Sequence, residues 1–244
     1  FHDMSQVHDV DPNVIKRTQN WLAELQKSDG SWELDQGGIA EGIINRQSDE
    51  LRVTAYIGWA LAESGNQGDA VEKAMRYVIP KIEGVNDPYS LAVIANGLVG
   101  WKNNHPSTGQ AMERLADMAI QDTKTAYWKS MRPTMTHGRG ETGDLEATAL
   151  AVYALLKYGR HPTLVNKALT YLIQSKDAFG TWQNTQATVW SLKALLLAME
   201  KGTSETTAQV TVFANDRKAS EFQIAPENSD VMRQVDLKMF VQEG

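Results

Sequence analysis

The chain has 244 residues with a net charge of -6, 42% hydrophobic and 22% charged residues, and no cysteine. That is enough chain for one large domain, and its balance is that of a globular protein. The acidic charge argues against nucleic acid as partner, and the missing thiols exclude disulfides, thiolate nucleophiles and cysteine metal ligands.

In chain order, Phe1 to Val10 is polar and is expected to be an extended lead-in. Asp11-Pro12 is a helix start, with Asp as cap and Pro in the first turn. Val14, Ile15, Trp21, Leu22 and Leu25 follow near helical spacing, and Asp29-Gly30 turns the chain. Glu33 to Gln47 is expected to be a loop. Helices then alternate in character: Leu51 to Glu63 apolar, Asp69 to Ile79 amphipathic, Tyr89 to Trp101 apolar, Thr108 to Gln121 amphipathic. A second loop, Thr123 to Thr142, carries Trp128, Pro133, His137, Gly138 and Gly140. Leu145 to Tyr158 is apolar, Thr163 to Gln174 amphipathic, and Thr185 to Glu200 apolar. Periodicity thus gives about eight helices.

Two repeats organise this series. Trp21 to Trp32 and Tyr171 to Trp182 each run from an aromatic-Leu pair through a polar stretch to Gly, one hydroxyl residue and Trp, with identical spacing. Thr54-Ala55, Thr148-Ala149 and Thr188-Val189 are each followed by an Ala-Leu pair, and Asp87-Pro88-Tyr89-Ser90-Leu91 opens a looser copy. A repeated helix-turn unit cannot bury its apolar face alone, so the copies must stack. Helices apolar nearly all round form an inner layer, and amphipathic ones an outer layer. Trp32 and Trp182 are expected to plug the corners between layers. The fold class is therefore mainly α, an incomplete α/α toroid of about four helical hairpins.

After Gly202 the apolar residues alternate. Ala208 to Phe213, Ser220 to Ile224 and Val231 to Val241 are expected to be strands, with Asn215-Asp216 as a turn. Three strands leave unpaired edges, so further strands are expected outside the chain. The domain limits are 1-203 for the toroid and 204-244 for strands of a β-sandwich.

No catalytic, cofactor-binding or metal-binding residue is assigned. Glu141, Asp144 and Glu146 near His137 could form an acid/base or metal group, but three nearby glycines and a capping position for Asp144 favour a structural loop. No ligand spacing on a helix appears. His105-Pro106 and His161-Pro162 read as loop residues before helices. There is no Asn-x-Ser/Thr sequon and no leader sequence, and the start at Phe1 is expected to be a cut boundary of a longer protein.

Gln26 to Trp32 resembles the repeat of terpene cyclases and related toroids. The full pattern resembles more closely the thioester domain of the α2-macroglobulin and complement family. Residues 11 to 22 resemble the helix before that family's Asp-Gly-aromatic turn. Leu51-Arg52-Val53-Thr54-Ala55-Tyr56, Leu145-Glu146-Ala147-Thr148-Ala149 and Gly180 to Thr188 resemble three further elements, in order. The resemblance covers residues 11 to 200. It implies six hairpins, a thioester between Cys and Gln in a preceding Cys-x-Glu-Gln motif, and a return of the chain into a CUB-type sandwich. With no Cys, this chain cannot form that bond, and the first hairpins are expected to be missing. In some complement members a His in the loop after Asp-Gly-aromatic steers the chemistry toward hydroxyls. Glu33 to Gln47 contains no His and offers Glu41 and Asn45, so a parent with a thioester would resemble the members that favour amines.

The resemblance further implies a bacterial α2-macroglobulin-like parent that is periplasmic or cell-envelope/extracellular, in a family where lipoprotein anchoring is frequent. Its partners would be proteases, trapped after bait cleavage, and other domains of the same parent, with no nucleic acid and no small-molecule cofactor. This portion would be scaffold and contact surface, not an enzyme. Two alternatives are a cyclase- or prenyltransferase-like toroid enzyme and a non-covalent protein-binding module. The first would need an Asp-rich acid motif or a Cys-ligated zinc site, and neither is present. An open toroid would expose apolar inner helices and so favour association or partial disorder.

Overall fold

The computed structural model describes residues 1–34, 48–201, 208–225 and 233–240. Nine α-helices are present among them: α1 (His2–Ser5), α2 (Pro12–Glu24), α3 (Glu50–Glu63), α4 (Asp69–Val78), α5 (Pro88–Lys102), α6 (Pro106–Asp117), α7 (Glu141–Tyr158), α8 (Pro162–Gln174) and α9 (Thr185–Lys201). Two hairpins accompany them, β1 (Ile120–Gln121) with β2 (Ala126–Tyr127), and β3 (Ala208–Ala214) with β4 (Arg217–Ile224). The protein is mainly α. Its packing divides into two compact units, Phe1–Leu195 and Leu196–Gly244. The expected limit at 203/204 lies outside the described residues.

In the first unit, α3 packs on α5 and α5 on α7, forming the inner layer. α4 lies against α3 and α5, α6 against α5 and α7, and α8 against α7. Along α5 every residue from Pro88 to Val99 is buried, as a helix enclosed on all sides requires. The amphipathic α2, α4, α6 and α8 keep one wet face. This is the toroid arrangement of paired outer and inner helices. Gly97 permits the close approach: a Cβ there would stand 3.2 Å from Met75 Cε and 3.6 Å from the Ala55 carbonyl oxygen. From α9, Trp190 reaches Trp59 of α3 (ring centroids 4.9 Å apart) and Tyr153 of α7 (6.0 Å).

Capping follows the sequence closely. The Asp11, Asp49 and Asp87 carboxylates accept from the backbone amides of Asn13, Arg52 and Ser90 and so start α2, α3 and α5. Pro12, Pro88, Pro106 and Pro162 occupy first turns. His105 caps α6 through Nδ1, which accepts from the Ser107 amide, and His161 precedes α8 in a left-handed conformation.

Four expectations are corrected. Part of the extended lead-in is helical, because residues 2–5 form the turn α1. The helix expected to reach Gln121 ends at Asp117; Asp122 then accepts from the Lys124 and Thr125 amides and folds 120–127 into a small hairpin. Helix α7 begins a turn earlier than Leu145, after Gly140 at φ 53°. Asp144 therefore lies inside its first turn and is not its cap. In the second unit, residues 233–237 carry no regular structure and Lys238–Phe240 is a 3-10 turn, where the third strand was expected. The Asp236 carboxylate accepts from the Lys238 amide and bends the chain there. Asn215 and Asp216, both at positive φ, make the β3–β4 turn, and a bulge follows Val212.

Candidate functional site

Three corners of the toroid share one construction. The indole N–H groups of Trp32, Trp128 and Trp182 donate to the carbonyls of Leu22, Leu115 and Leu172, near the ends of α2, α6 and α8 (2.7, 2.6 and 2.7 Å). Their backbone amides donate to the hydroxyls of Thr54, Thr148 and Thr188 on the following inner helix (3.1, 3.0 and 3.0 Å). Each indole is buried. Outer and inner helix are thus tied through one residue, and the expected plugs at Trp32 and Trp182 are in place. Trp128 is a third plug that sequence reasoning left inside a loop. Its signal was the Thr148 already seen in the threonine repeat.

Two of the three corners carry long connections between the Trp and the Thr, and these emerge at the N-terminal end of the inner helices. The connection containing Glu41 and Asn45 lies outside the described residues. The other crosses the starts of three inner helices in succession. The Ser130 amide donates to Asp144 on α7 (2.8 Å), the Met131 amide to Asp87 before α5 (2.9 Å), and Arg132 pairs with Asp49 before α3. Such loops, held on a rigid frame, are where binding and chemistry concentrate.

Arg52 is the hub of this end. Its guanidinium is buried and donates to Asp87 Oδ2 (2.7 Å), Ser90 Oγ (2.6 Å) and the Pro133 carbonyl (2.8 Å). It also lies over the Tyr89 ring at 5.2 Å. With Asp49, Asp87, Ser90 and Arg132, and with Leu51, Val85 and Ile94 as apolar wall, it lines a cavity of about 240 Å³. Burial alone would raise the Asp87 pKa, but the Ser90 hydroxyl, the Met131 amide and Arg52 outweigh it and hold the carboxyl below its usual range. At Asp49 burial is likewise outweighed, by Arg132 and the Arg52 amide. For Asp144 burial wins over the Ser130 amide, and its pKa is raised. Tyr89 is raised too, by burial first and then by the Glu146 charge.

The structure separates the residues weighed as an acid/base group. Glu146 is buried on α7 and accepts from the Thr136 hydroxyl (2.6 Å) and the Asn184 amide (3.3 Å). Gly138 packs against it so tightly that a Cβ would come within 2.5 Å of its Oε1. Asp144 holds Ser130, Glu141 is exposed, and His137 sits at φ 70° in the loop. Asp49, Asp87 and Asp144 accept from backbone amides, whereas Glu146 accepts from side chains that tie the loop and the start of α9 to α7. Among the described residues no group of three or more His, Asp or Glu side chains is arranged to hold a metal.

Residues 1–197 match the model of the A-macroglobulin TED domain. The chain belongs to this family. As a TED domain of that family it is similar to Thioester-containing protein 1 allele R1 of Anopheles gambiae, 22% identical over 95% of this chain and 17% of the relative. It is 26% identical to ovostatin of Gallus gallus over 97% of this chain and 17% of that protein. Complement C3 of Eptatretus burgeri is 24% identical over 80% of this chain and 12% of its own length. The TED domain described here therefore spans less than a fifth of these curated relatives. No helix among the described residues is long and apolar enough to cross a membrane.

Proposed function

We propose that this domain is the scaffold and contact portion of a broad-spectrum protease trap, in a parent protein whose thioester, where present, is formed by residues outside this chain. The family match over residues 1–197 carries the reading, and the similarity to ovostatin and to a thioester-containing protein supports it. The chain supplies no cysteine for the bond. What it supplies is a rigid frame: the Trp–Thr corners and the Arg52–Asp87 hub fix the loop-bearing end, which would meet other domains of the parent and the captured protease. The role is one of positioning and contact, not of chemistry. A periplasmic or cell-envelope location belongs to the same proposal, as does the reading of the β3–β4 hairpin as part of a CUB-type sandwich.

Thiol titration of the parent before and after methylamine tests the covalent half. A thiol that appears only after methylamine supports covalent trapping; none means that retention is non-covalent. Gel filtration with an active protease tests the trap itself. Protease that cleaves the parent and is not retained overturns the proposal.

A further inference from the structure

One outer-to-inner corner of the toroid departs from the construction at Trp32, Trp128 and Trp182. Between α4 and α5 the chain runs through a 3-10 helix, Ile79–Gly84, and on to Asp87 without a Trp. Ser90 stands where the other inner helices carry Thr54, Thr148 and Thr188. Its hydroxyl accepts from Arg52 Nε (2.6 Å) and donates to Asp87 Oδ2 (2.6 Å). The aliphatic Ile82 and Val85 are buried here, where the other corners bury an indole. The cavity of about 240 Å³ opens at this corner, with Gly84, Val85 and Ser90 in its wall.

That wall is part apolar and part charged. Two carboxylates, Asp49 and Asp87, balance two guanidinium groups, Arg52 and Arg132, so a net charge on a ligand gains little. Leu51, Val85 and Ile94 offer apolar surface instead. The corner is held firmly from outside, because Arg114 of α6 donates to the Val85 carbonyl (3.0 Å) and to Asn86 Oδ1 (3.1 Å). Arg52, Ser90 and Val85 are buried, whereas the paired side chains of Asp49 and Arg132 are half exposed and form the rim. A planar guanidinium stacks on aromatic faces, and Arg132 brings one to the rim. The Asp49 carboxylate accepts from Arg132 and from the Arg52 amide, which leaves it capacity for a further donor. A cavity of about 150 Å³ holds a benzene ring, so this one has room for an indole.

We propose that the α4–α5 corner is a receptor for a tryptophan side chain presented by a partner polypeptide. The ring lies against Leu51, Val85 and Ile94, stacks on the Arg132 guanidinium and donates its N–H to Asp49. The other three corners show how this frame takes an indole: each buries one supplied by polypeptide, with the ring N–H on an oxygen. Residues 33–47, next to Asp49 in sequence, include no aromatic residue and cannot supply the ring. The site goes beyond the protease-trap reading and does not rest on it.

The test titrates the full chain, labelled with nitrogen-15, with N-acetyltryptophanamide and follows the backbone amides by NMR. Saturable shifts are expected at Gly84, Asn86, Ser90 and Met131, while the amides of Trp32, Trp128 and Trp182 hold. N-acetylphenylalaninamide, which has a ring and no donor, binds more weakly, and N-acetylleucinamide gives no saturable shift. Gly84→Trp supplies the plug from within: it stands six positions before Ser90, as Trp182 stands before Thr188, and a Cβ there meets nothing within 4 Å. Its melting temperature is expected to hold or rise, and binding to weaken at least about tenfold. Arg132→Ala, at a half-exposed position, weakens binding as well without touching the core. The proposal is overturned by the absence of a saturable shift at this corner, by equal shifts with N-acetylleucinamide, or by undiminished binding in both variants. Binding of free indole without binding of N-acetyltryptophanamide overturns the polypeptide origin of the ring. Each outcome is read on this chain alone, so a failed protease trap leaves it untouched.

Discussion

The backbone amide of Trp128 donates to the hydroxyl of Thr148, twenty positions later in the chain, at 3.0 Å and wholly out of water. The same Trp donates its indole N–H to Leu115, so one side chain and its own amide join α6 to α7. Thr148→Val keeps the shape and removes the acceptor, leaving a buried amide unsatisfied. That is expected to cost about 1–3 kcal/mol, read by urea unfolding. Thr188→Val, at a half-buried position, is expected to cost less. Equal costs would show that burial of the corner is not what makes the bond matter.

Arg52→Met strands the Asp87 carboxylate among buried groups. Breaking one partner of a buried pair costs about 3–5 kcal/mol; the loop loses its anchor at Pro133, and the Asp87 carboxylate that holds the Met131 amide loses its counter-charge. The double variant Arg52→Met/Asp87→Asn is expected to recover part of that loss. Hydrogen exchange at Met131 reports the loop directly, and protection there should fall in the single variant.

Asp49 and Asp87 are lowered and Asp144 is raised, so their pH effects oppose each other. As pH falls through the raised Asp144 value toward about 3.9, the usual aspartate value, folding gains stability, because the folded state takes up the proton first. Below about 3.9 the unfolded chain binds protons that the lowered Asp49 and Asp87 refuse, and their contribution is lost as pH falls through their folded values. Asp144→Asn is expected to remove the gain and leave the acid loss, seen in urea midpoints between neutral pH and acid.

Gly30 and Gly180 end matching repeats, at φ 91° and 79°. A Cβ on Gly30 would stand 2.4 Å from the Lys73 carbonyl oxygen, whereas one on Gly180 meets nothing within 4 Å. Gly180→Ala is expected to cost about 1 kcal/mol for its backbone alone. Gly30→Ala should cost clearly more, since α4 must move as well. Thermal unfolding of the two variants separates these contributions.

Trp21 on α2, Leu25 just after it, and Val189 and Leu192 on α9 are large apolar side chains left exposed. Isolated, the protein is expected to associate as its concentration rises. Leu192→Lys should move the sedimentation profile toward monomer, and a monomer at every concentration in the unmodified chain would refute this.

The eight longer helices were legible because inner and outer faces differ in period, and because Asp-Pro and His-Pro pairs mark the starts of α2, α5, α6 and α8. The plugs at Trp32 and Trp182 stood out because their surroundings repeat without a gap. Trp128 did not, since the hairpin of Ile120–Gln121 with Ala126–Tyr127 replaces the helix end and Gly turn of the other copies. The Arg52 hub was hidden for another reason: Arg52, Asp87 and Pro133 are far apart in sequence, and nothing local marks a buried arginine. Asp144 looked like a cap because the true start, Gly140, depends on a backbone angle that composition does not reveal.

The three Trp-to-Thr ties span 22, 20 and 6 positions, yet their bonds have nearly the same length. Whatever is inserted between the two residues is pinned at both ends by the frame. Closing a flexible loop costs only about 0.6 kcal/mol more for each doubling of its length. Growth from the shortest of these connections to the longest therefore carries less than two doublings of penalty. The corners act as sockets, and new segments can be spliced into one end of the toroid while every helix keeps its seat.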